Sequence, residues 1–381
     1  GGYPDQNDMD KLRKDVIMKL VAGRSTTDDD LASQPTISRF ENHLTIAERR
    51  KLRPFFIDEW AIRKKGIAPK EVILHIDSSN LTCHGCQQLA LWNGYYRELC
   101  YHPIFVYDGE TGELLFVFMR SGKVHSGRWS KSIIKYIVNH IRKHFPQIKI
   151  RIVGDSGFAA PTLYTYCEKE NIEYYINLIP NNIHAKMIKA HLAECKTKYE
   201  AQTKDIQHII EYGEFGYKAG TWHKFRRVIY KIEIDSFGSD SRYIVVPTTL
   251  QTEPEEIYTS AMKRGESENR IKEYKLSGHI NGSRMSLQKF SGNVFRSFLY
   301  GVAYSIMWYA RQKLVNTELA GAQTSTLREK IIKIAGTICE SGRRRVINIS
   351  SSSPYIKYWK IFAAVLAPVP APSVISAAAT T

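Results

Sequence analysis

Along residues 72–77 the side chains are apolar except for His75, and the run stops on Asp77. A short, β-branched run of this kind predicts a strand buried on both faces. Aromatic and β-branched positions crowd residues 95–107, Asp108-Gly-Glu-Thr-Gly112 interrupts them, and Leu114-Leu-Phe-Val-Phe-Met119 resumes. Strand, Asp-Gly turn, strand predicts a hairpin. Residues 130–145 carry helical periodicity. Residues 148–155 alternate and then become apolar, predicting a strand that runs into a turn at Asp155. Pro161 fits the first turn of the next helix, and residues 173–179 read as another strand. Three strands, a helix, a strand, a helix and a strand make a mixed α/β sheet, with an antiparallel meander first and crossover units after it.

The flanks differ. Residues 1–65 read as helical, with a polar start at Asp5-Gln-Asn-Asp8, a capping-type Ser25-Thr-Thr-Asp-Asp29 and a capping box at Thr45-Ile-Ala-Glu48. Arg63-Lys-Lys-Gly66 leads out of them. Residues 183–198 look helical, and residues 206–248 read as several strands, among them one running from Trp222 through Ile234. A helix is expected over residues 261–275, a long apolar one over 287–313 and a last one over 325–335. The expected organisation is a helical segment (1–65), the first part of an α/β core (66–180), a β-rich insertion (181–250), the rest of the core with the C-terminal helices (251–345) and a final segment (346–381). Its Ala/Pro/Ser/Thr-rich tail from Ala367 is expected to be disordered.

Charge narrows the function classes. The 381 residues carry a formal charge of +16 and a pI near 9.4. That excess points to a polyanionic partner, nucleic acid first and an acidic membrane surface second. No apolar run reaches the roughly 18 residues a membrane span needs; the nearest, residues 298–310, holds Ser305 and three tyrosines and reads as a buried core helix. The chain opens on Gly1 rather than Met, so the native start is expected to lie upstream, and a targeting segment stays open. Six cysteines in so long a chain suit a reduced, intracellular protein.

The candidate chemistry centres on residues 261–275. On one helix, Arg264, Glu268 and Lys275 stand at i, i+4 and i+11 and share a face. A carboxylate between two cations suits a site that binds metal and grips phosphate; the ordinary reading is a solvated face with ion pairs. Asp77 and Asp155 each end a buried strand, where an unpaired acid is costly unless bound to something. With Glu268 they make three carboxylates placeable at one sheet edge. Such a cluster repels itself without divalent cations, and hard oxygen ligands favour Mg²⁺ or Mn²⁺. Glu266 and Glu273 fall on other faces of the helix.

Several motifs now occur in order: Asp77-Ser-Ser79, His84-Gly-Cys-Gln87, Gly94-Tyr-Tyr-Arg-Glu-Leu-Cys-Tyr-His-Pro103, Gly154-Asp-Ser-Gly-Phe158, Arg264 with Glu268 and Lys275, Ser283-Arg-Met-Ser286 and Leu319-Ala-Gly-Ala-Gln323. In these the chain resembles the DDE transposases of bacterial insertion sequences, and more narrowly a subgroup with a Y-x2-R-x3-E-x6-K third motif. The resemblance runs from Tyr3 to about Ala363. It implies an RNase H-like mixed sheet flanked by helices and interrupted by a β-rich insertion. It implies Asp77, Asp155 and Glu268 as a metal-binding catalytic triad for two Mg²⁺ or Mn²⁺ ions, and Arg264 and Lys275 as phosphate contacts near the scissile bond. The implied activity is metal-dependent cleavage of element ends followed by strand transfer. The implied partners are double-stranded DNA and a second copy of the chain, with no membrane and no small-molecule substrate, in the bacterial cytoplasm at the nucleoid. The alternatives are a catalytically degenerate remnant that still binds DNA and a non-transposing nuclease of the same fold. The signature tyrosine is Ala261 here and the acid usual four residues after the first Asp is Leu81; the family's segment ahead of the Gly-Tyr start is expected to be missing from this chain.

Cys83, His84, Cys86, Cys100 and His102 offer a zinc-like ligand count, but the motifs already account for His84 and Cys100. On the strand expected from Trp222, alternation would put Trp222, Lys224 and Arg226 on one face, suited to a DNA backbone and an unstacked base. The resemblance implies an aromatic of the insertion holding a flipped base, with Trp222 and Tyr243 as candidates. Arg343-Arg-Arg345 reads as a solvated loop or a DNA contact.

Overall fold

A computed structural model describes residues 3, 5–201, 208–247, 252–341 and 344–366, with the backbone alone for 242–247, 363, 365 and 366. The expected tail from Ala367, Arg343 and the side chain of Tyr243 lie outside the described residues. In chain order the helices are α1 (Met9–Leu12), α2 (Val16–Val21), α3 (Gln34–His43), α4 (Ile46–Leu52), α5 (Phe55–Lys64), α6 (Ser130–His144), α7 (Pro161–Lys169), α8 (Asn182–Glu200), α9 (Pro254–Met262), α10 (Gly265–Lys275), α11 (Phe290–Lys313), α12 (Thr324–Leu327) and α13 (Ile356–Leu366). The strands are β1 (Glu71–Ser78), β2 (Leu81–Thr82), β3 (Leu91–Asn93), β4 (Glu98–Tyr101), β5 (Ile104–Asp108), β6 (Leu114–Phe118), β7 (Lys149–Gly154), β8 (Glu173–Asn177), β9 (Ile209–Tyr217), β10 (Arg226–Ile234), β11 (Asp240–Pro247), β12 (Gly336–Ser341) and β13 (Arg344–Ile349).

The chain forms two compact units. One, Lys51–Ser79 with His102–Arg270, holds an eight-stranded sheet in the order β6-β5-β1-β7-β8-β11-β10-β9. β5 and β6 pair antiparallel beside β1, while β7 and β8 run parallel to it. That is the meander-then-crossover sheet the sequence predicts. The inserted strands β9–β11 do not stand apart: β11 pairs with β8, so they extend the same sheet. Apolar periodicity shows that a strand has a buried face but not which edge it joins.

Local chemistry explains the elements. In α6, Ile133, Ile134, Ile137, Val138 and Ile141 are buried in the main core cluster, one stripe of the helix. Each such side chain contributes about 1.5–3 kcal/mol by leaving water. Asp108 closes the β5–β6 turn by accepting from the backbone N–H groups of Glu110 and Thr111 at 3.0 and 3.3 Å. Its other oxygen accepts from the buried Trp60 indole of α5 at 2.9 Å. Gly112 completes the turn at φ 72°, where a side chain would be strained.

The other unit is Gly1–Arg50, Asn80–Tyr101 and Ile271–Thr381. It contains the small sheet β2-β4-β3 and the hairpin β12–β13. The expected capping box forms at α4, with Thr45 N–H on Glu48 at 2.8 Å and Glu48 N–H on the Thr45 hydroxyl at 3.3 Å. Along α11, Arg296 pairs with Glu41 and Arg311 with Glu273, all four buried.

Four expectations need correction. The apolar run over 95–107 divides into β4 and β5, strands of different sheets. The helix expected over 261–275 is two helices, α9 and α10, broken at Lys263 and Arg264 beside Gly265. The helical turns expected over 325–335 stop at Ile332, and the hairpin β12–β13 follows. The strand expected from Trp222 begins at Arg226, which pairs with Tyr217, so residues 218–225 are the connecting loop.

Candidate active site

Ile76 of β1 pairs with Gly154 of β7 in parallel register. Asp77 and Asp155, one residue on from each, therefore leave neighbouring strands at the same edge of the sheet. Adjacent strands lie only about 4.8 Å apart. Asp77 is 6% exposed and accepts from the Ser78 N–H at 2.7 Å. Asp155 opens a single 3₁₀ turn and accepts from the Gly157 N–H at 3.0 Å. A Cβ at Gly157 would lie 2.8 Å from the Ser126 Cβ, so this turn needs glycine for its close approach.

Arg264 brings the third acid in. From the break between α9 and α10, it donates to Asp77 at 3.2 Å and to Glu268 at 3.4 Å. One guanidinium thus bridges a buried and an exposed carboxylate. The i, i+4 pair read from the sequence survives the helix break, but Arg264 is on the acids in this structure. Burial, chiefly, then the Asp155 charge, pushes the Asp77 carboxyl up to about 7, while Arg264 and the Ser78 N–H pull the other way. Asp155 is also raised, first by burial, with Arg264 and the Gly157 N–H opposing and Glu268 reinforcing. Burial and Arg264 together hold the His75 imidazole down at about 4. The edge therefore carries more negative charge than Arg264 balances, the condition a divalent cation relieves. The donors are all carboxylate oxygens, which fit Mg²⁺ or Mn²⁺; Asp77, Asp155 and Glu268 would hold it, but here Arg264 stands between Asp77 and Glu268 and the oxygens of the three acids do not all come within 4.8 Å of one another.

A pH dependence follows. Between about 4 and about 7 the unfolded chain has released the Asp77 proton that the folded chain keeps. Stability of the metal-free protein should thus fall as pH rises through that window. Asp77→Asn is expected to flatten the fall and to stabilise the metal-free chain at pH 8 by on the order of 1–3 kcal/mol. Urea titrations at several pH values with chelator would check this; coincident wild-type and variant profiles would mean that Asp77 ionises without cost.

The loop of residues 121–129 abuts the same edge, a feature the sequence reading missed. Arg120, 1% exposed, donates to the carbonyls of His102, His125, Ser126 and Arg128 at 2.8–3.1 Å. It holds the loop so that Ser126 Oγ meets Ser78 Oγ at 3.0 Å. His125 on the loop favours the ionised form of Asp155. The available signal was the Gly- and Ser-rich basic run Ser121-Gly-Lys-Val-His-Ser-Gly-Arg128 after a predicted strand.

The remaining candidates divide. Lys275 belongs to the other compact unit, where it donates to Asn80 at 2.6 Å and burial lowers its ammonium to about 8. Trp222 is 5% exposed, packed edge-on against Tyr164 and Tyr217. Arg226 is equally buried, paired with Glu168 and stacked on Trp222. Lys224 is more exposed but also meets Glu168, at 3.1 Å. The shared DNA-facing strand surface expected of these three is therefore corrected: Trp222 and Lys224 lie in a loop, and Trp222 and Arg226 face the core. The exposed aromatic of that loop is Phe225, at 71%. Of Tyr243 only the backbone is described, in β11 opposite Lys231. The zinc-like residues have other duties. Cys83 and Cys100 are buried, Cys83 Sγ lies 3.6 Å from the Leu81 carbonyl, and His102 Nδ1 lies 2.7 Å from the Val124 carbonyl.

The core strand order β6-β5-β1-β7-β8, with its antiparallel meander and two parallel strands, defines an RNase H-like α/β protein. The family model for the transposase DDE domain, group 1, matches residues 1–371, and the chain belongs to that family. No significant match was found among curated proteins. Among solved structures the chain is similar to a piggyBac transposase, in a cryo-EM synaptic complex with hairpin DNA, at 9% identity and a TM-score of 0.38. That match covers 80% of this chain and 59% of the other, so this chain spans less than two thirds of the relative's length, and the likeness is too distant to bear on activity.

Proposed function

We propose that the chain is a DNA transposase that cleaves the ends of an insertion sequence and joins them to target DNA. The observation that carries the reading is Asp77 and Asp155 at one sheet edge with Arg264 linking Asp77 to Glu268. Two Mg²⁺ or Mn²⁺ ions, when bound, would activate the attacking oxygen and stabilise the leaving oxygen of a phosphodiester. In this reading the three carboxylates would hold the ions and favour hard dications over softer ones. Arg264, which lies beside Asp77 and Glu268, would hold the phosphate, for which a planar guanidinium is well shaped. Lys275, the half-buried Lys224 and the exposed Phe225 are further candidates for DNA contact, and the charge of +16 favours the encounter with duplex DNA. The work would take place at the bacterial nucleoid, with two copies bridging two ends.

One observation favours the remnant instead. Ala261, at the signature tyrosine position, is fully buried among Val153, Tyr175, Ile229, Ile257 and Tyr258, where no hydroxyl could serve a cleaved end. The test is a labelled terminal-repeat duplex incubated with the chain. Cleavage in Mg²⁺ or Mn²⁺, its loss in chelator, and joining of a pre-cut end to a target plasmid are expected. Binding without cleavage would establish the remnant, and hydrolysis without joining the nuclease.

A further inference from the structure

Between Asp155 and Glu268 in sequence, α8 and β9 bring together three groups of a different chemical character. His191 and Cys195 stand at i and i+4 on α8, on one face of the helix. Glu211 comes from β9. A ring nitrogen, the thiol sulfur and a carboxylate oxygen of these residues all lie within 4.8 Å of one another. Among the described residues this is the one such group of three. We propose that His191, Cys195 and Glu211 bind a single transition-metal dication of the zinc type, separate from the carboxylate site.

The surroundings are those of a prepared ligand set. His191 Nε2 lies 2.6 Å from Glu211, while its Nδ1 meets the Tyr230 hydroxyl at 2.9 Å. An outer partner on the second ring nitrogen fixes the imidazole and leaves Nε2 for the ion. The hydroxyl reaches that position because Gly213 is its cross-strand partner on β9: a Cβ there would collide with it. Cys195 is fully buried, so its sulfur is shielded from solvent oxidants. His191 and Glu211 are each about a quarter exposed, which leaves an open side for a water as fourth ligand. Lys198 already places a cation on Glu211, at 2.7 Å.

Coordination balances simply. The thiol proton passes to solvent and the sulfur becomes a thiolate ligand; the proton that His191 Nε2 shares with Glu211 also leaves, to Nδ1 in a neutral ring or to solvent from an imidazolium, so that Nε2 binds the ion and the Nδ1–H donates to the Tyr230 hydroxyl. One dication with a thiolate and a carboxylate sums to zero charge. The ion would clip α8 to the sheet extension formed by β9–β11. A Cys-His-Glu set is softer than three carboxylates, so it selects Zn²⁺ or Co²⁺ over Mg²⁺.

The experiment uses the full chain, stripped with chelator and titrated with Co²⁺ and then Zn²⁺. The expected result is one Co²⁺ per chain with a sulfur-to-cobalt charge-transfer absorption and tetrahedral d–d bands, both bleached by Zn²⁺. Asp155→Asn should keep this spectrum. Cys195→Ser should lose the charge-transfer band, and His191→Gln, a substitution at a part-exposed position, should weaken binding by at least about 100-fold. Tyr230→Phe should weaken it on the order of 10-fold. Thermal unfolding of the wild type, but not of His191→Gln, should shift upward with Zn²⁺. A Co²⁺ spectrum without the thiolate band, or His191→Gln binding as tightly as the wild type, would overturn the proposal.

Discussion

Asp155→Asn is expected to leave DNA binding within about twofold of the wild type and to slow metal-dependent nicking by ~10³-fold or more. The substitution is close to isosteric. An asparagine carbonyl can still accept the Gly157 N–H that Asp155 accepts at 3.0 Å, so the turn into α7 should keep its shape. What disappears is an anionic oxygen, and a neutral amide is a poor ligand for a hard dication. Burial already disfavours the charge on Asp155, so the variant should fold at least as well as the parent. Lost nicking with intact binding and an unchanged unfolding midpoint would then belong to chemistry. Gel-shift and nicking assays on one preparation would settle it, and nicking at the parental rate would remove Asp155 from the site.

Arg311→Met is expected to cost about 3–5 kcal/mol of stability, the loss that follows when one member of a buried pair is stranded. Arg311 and Glu273 are 4% and 3% exposed. Their two hydrogen bonds measure 2.8 and 3.1 Å, and Glu273 also accepts the Thr324 N–H at 3.2 Å. Truncating the arginine leaves a carboxylate in the interior without its cationic partner. Glu273→Leu combined with Arg311→Met should recover much of the loss, because apolar replacement of both partners removes the stranded charge. Urea midpoints of the two single variants and the double variant would show this. A single-variant loss under about 1 kcal/mol would mean that water reaches the pair. Glu273, two residues before the end of α10, is thus a structural acid rather than a fourth catalytic one.

How much of this was legible beforehand depends on the range of the interaction. Alternation and apolar runs marked β1, β5, β6, β7 and β8, and the acids Asp77 and Asp155 were visible as the residues where two such runs stop. Thr45 and Glu48 announced their capping box because its partners are three residues apart. These are local signals, set by backbone geometry and by which side chains a pleat or a helical turn places side by side. Pairings across the chain were not visible. Nothing near Trp222 says that Tyr164 and Glu168 of α7 will enclose it and Arg226. An aromatic-basic stretch reads the same whether it meets a nucleic acid or an internal carboxylate. The break at Lys263 and Arg264 was hinted at by Gly265, yet a glycine only weakens a helix. Its consequence, a guanidinium laid between Asp77 and Glu268, needs two distant segments to converge. The continuation of the sheet through β11, β10 and β9, and the meeting of His191, Cys195 and Glu211, are of the same kind. Residue type and spacing carry the identity of a strand and the chemistry available to it. Which neighbour answers that chemistry is settled by long-range packing, where the cost of burying a charge or a ring is met by whatever partner the fold delivers.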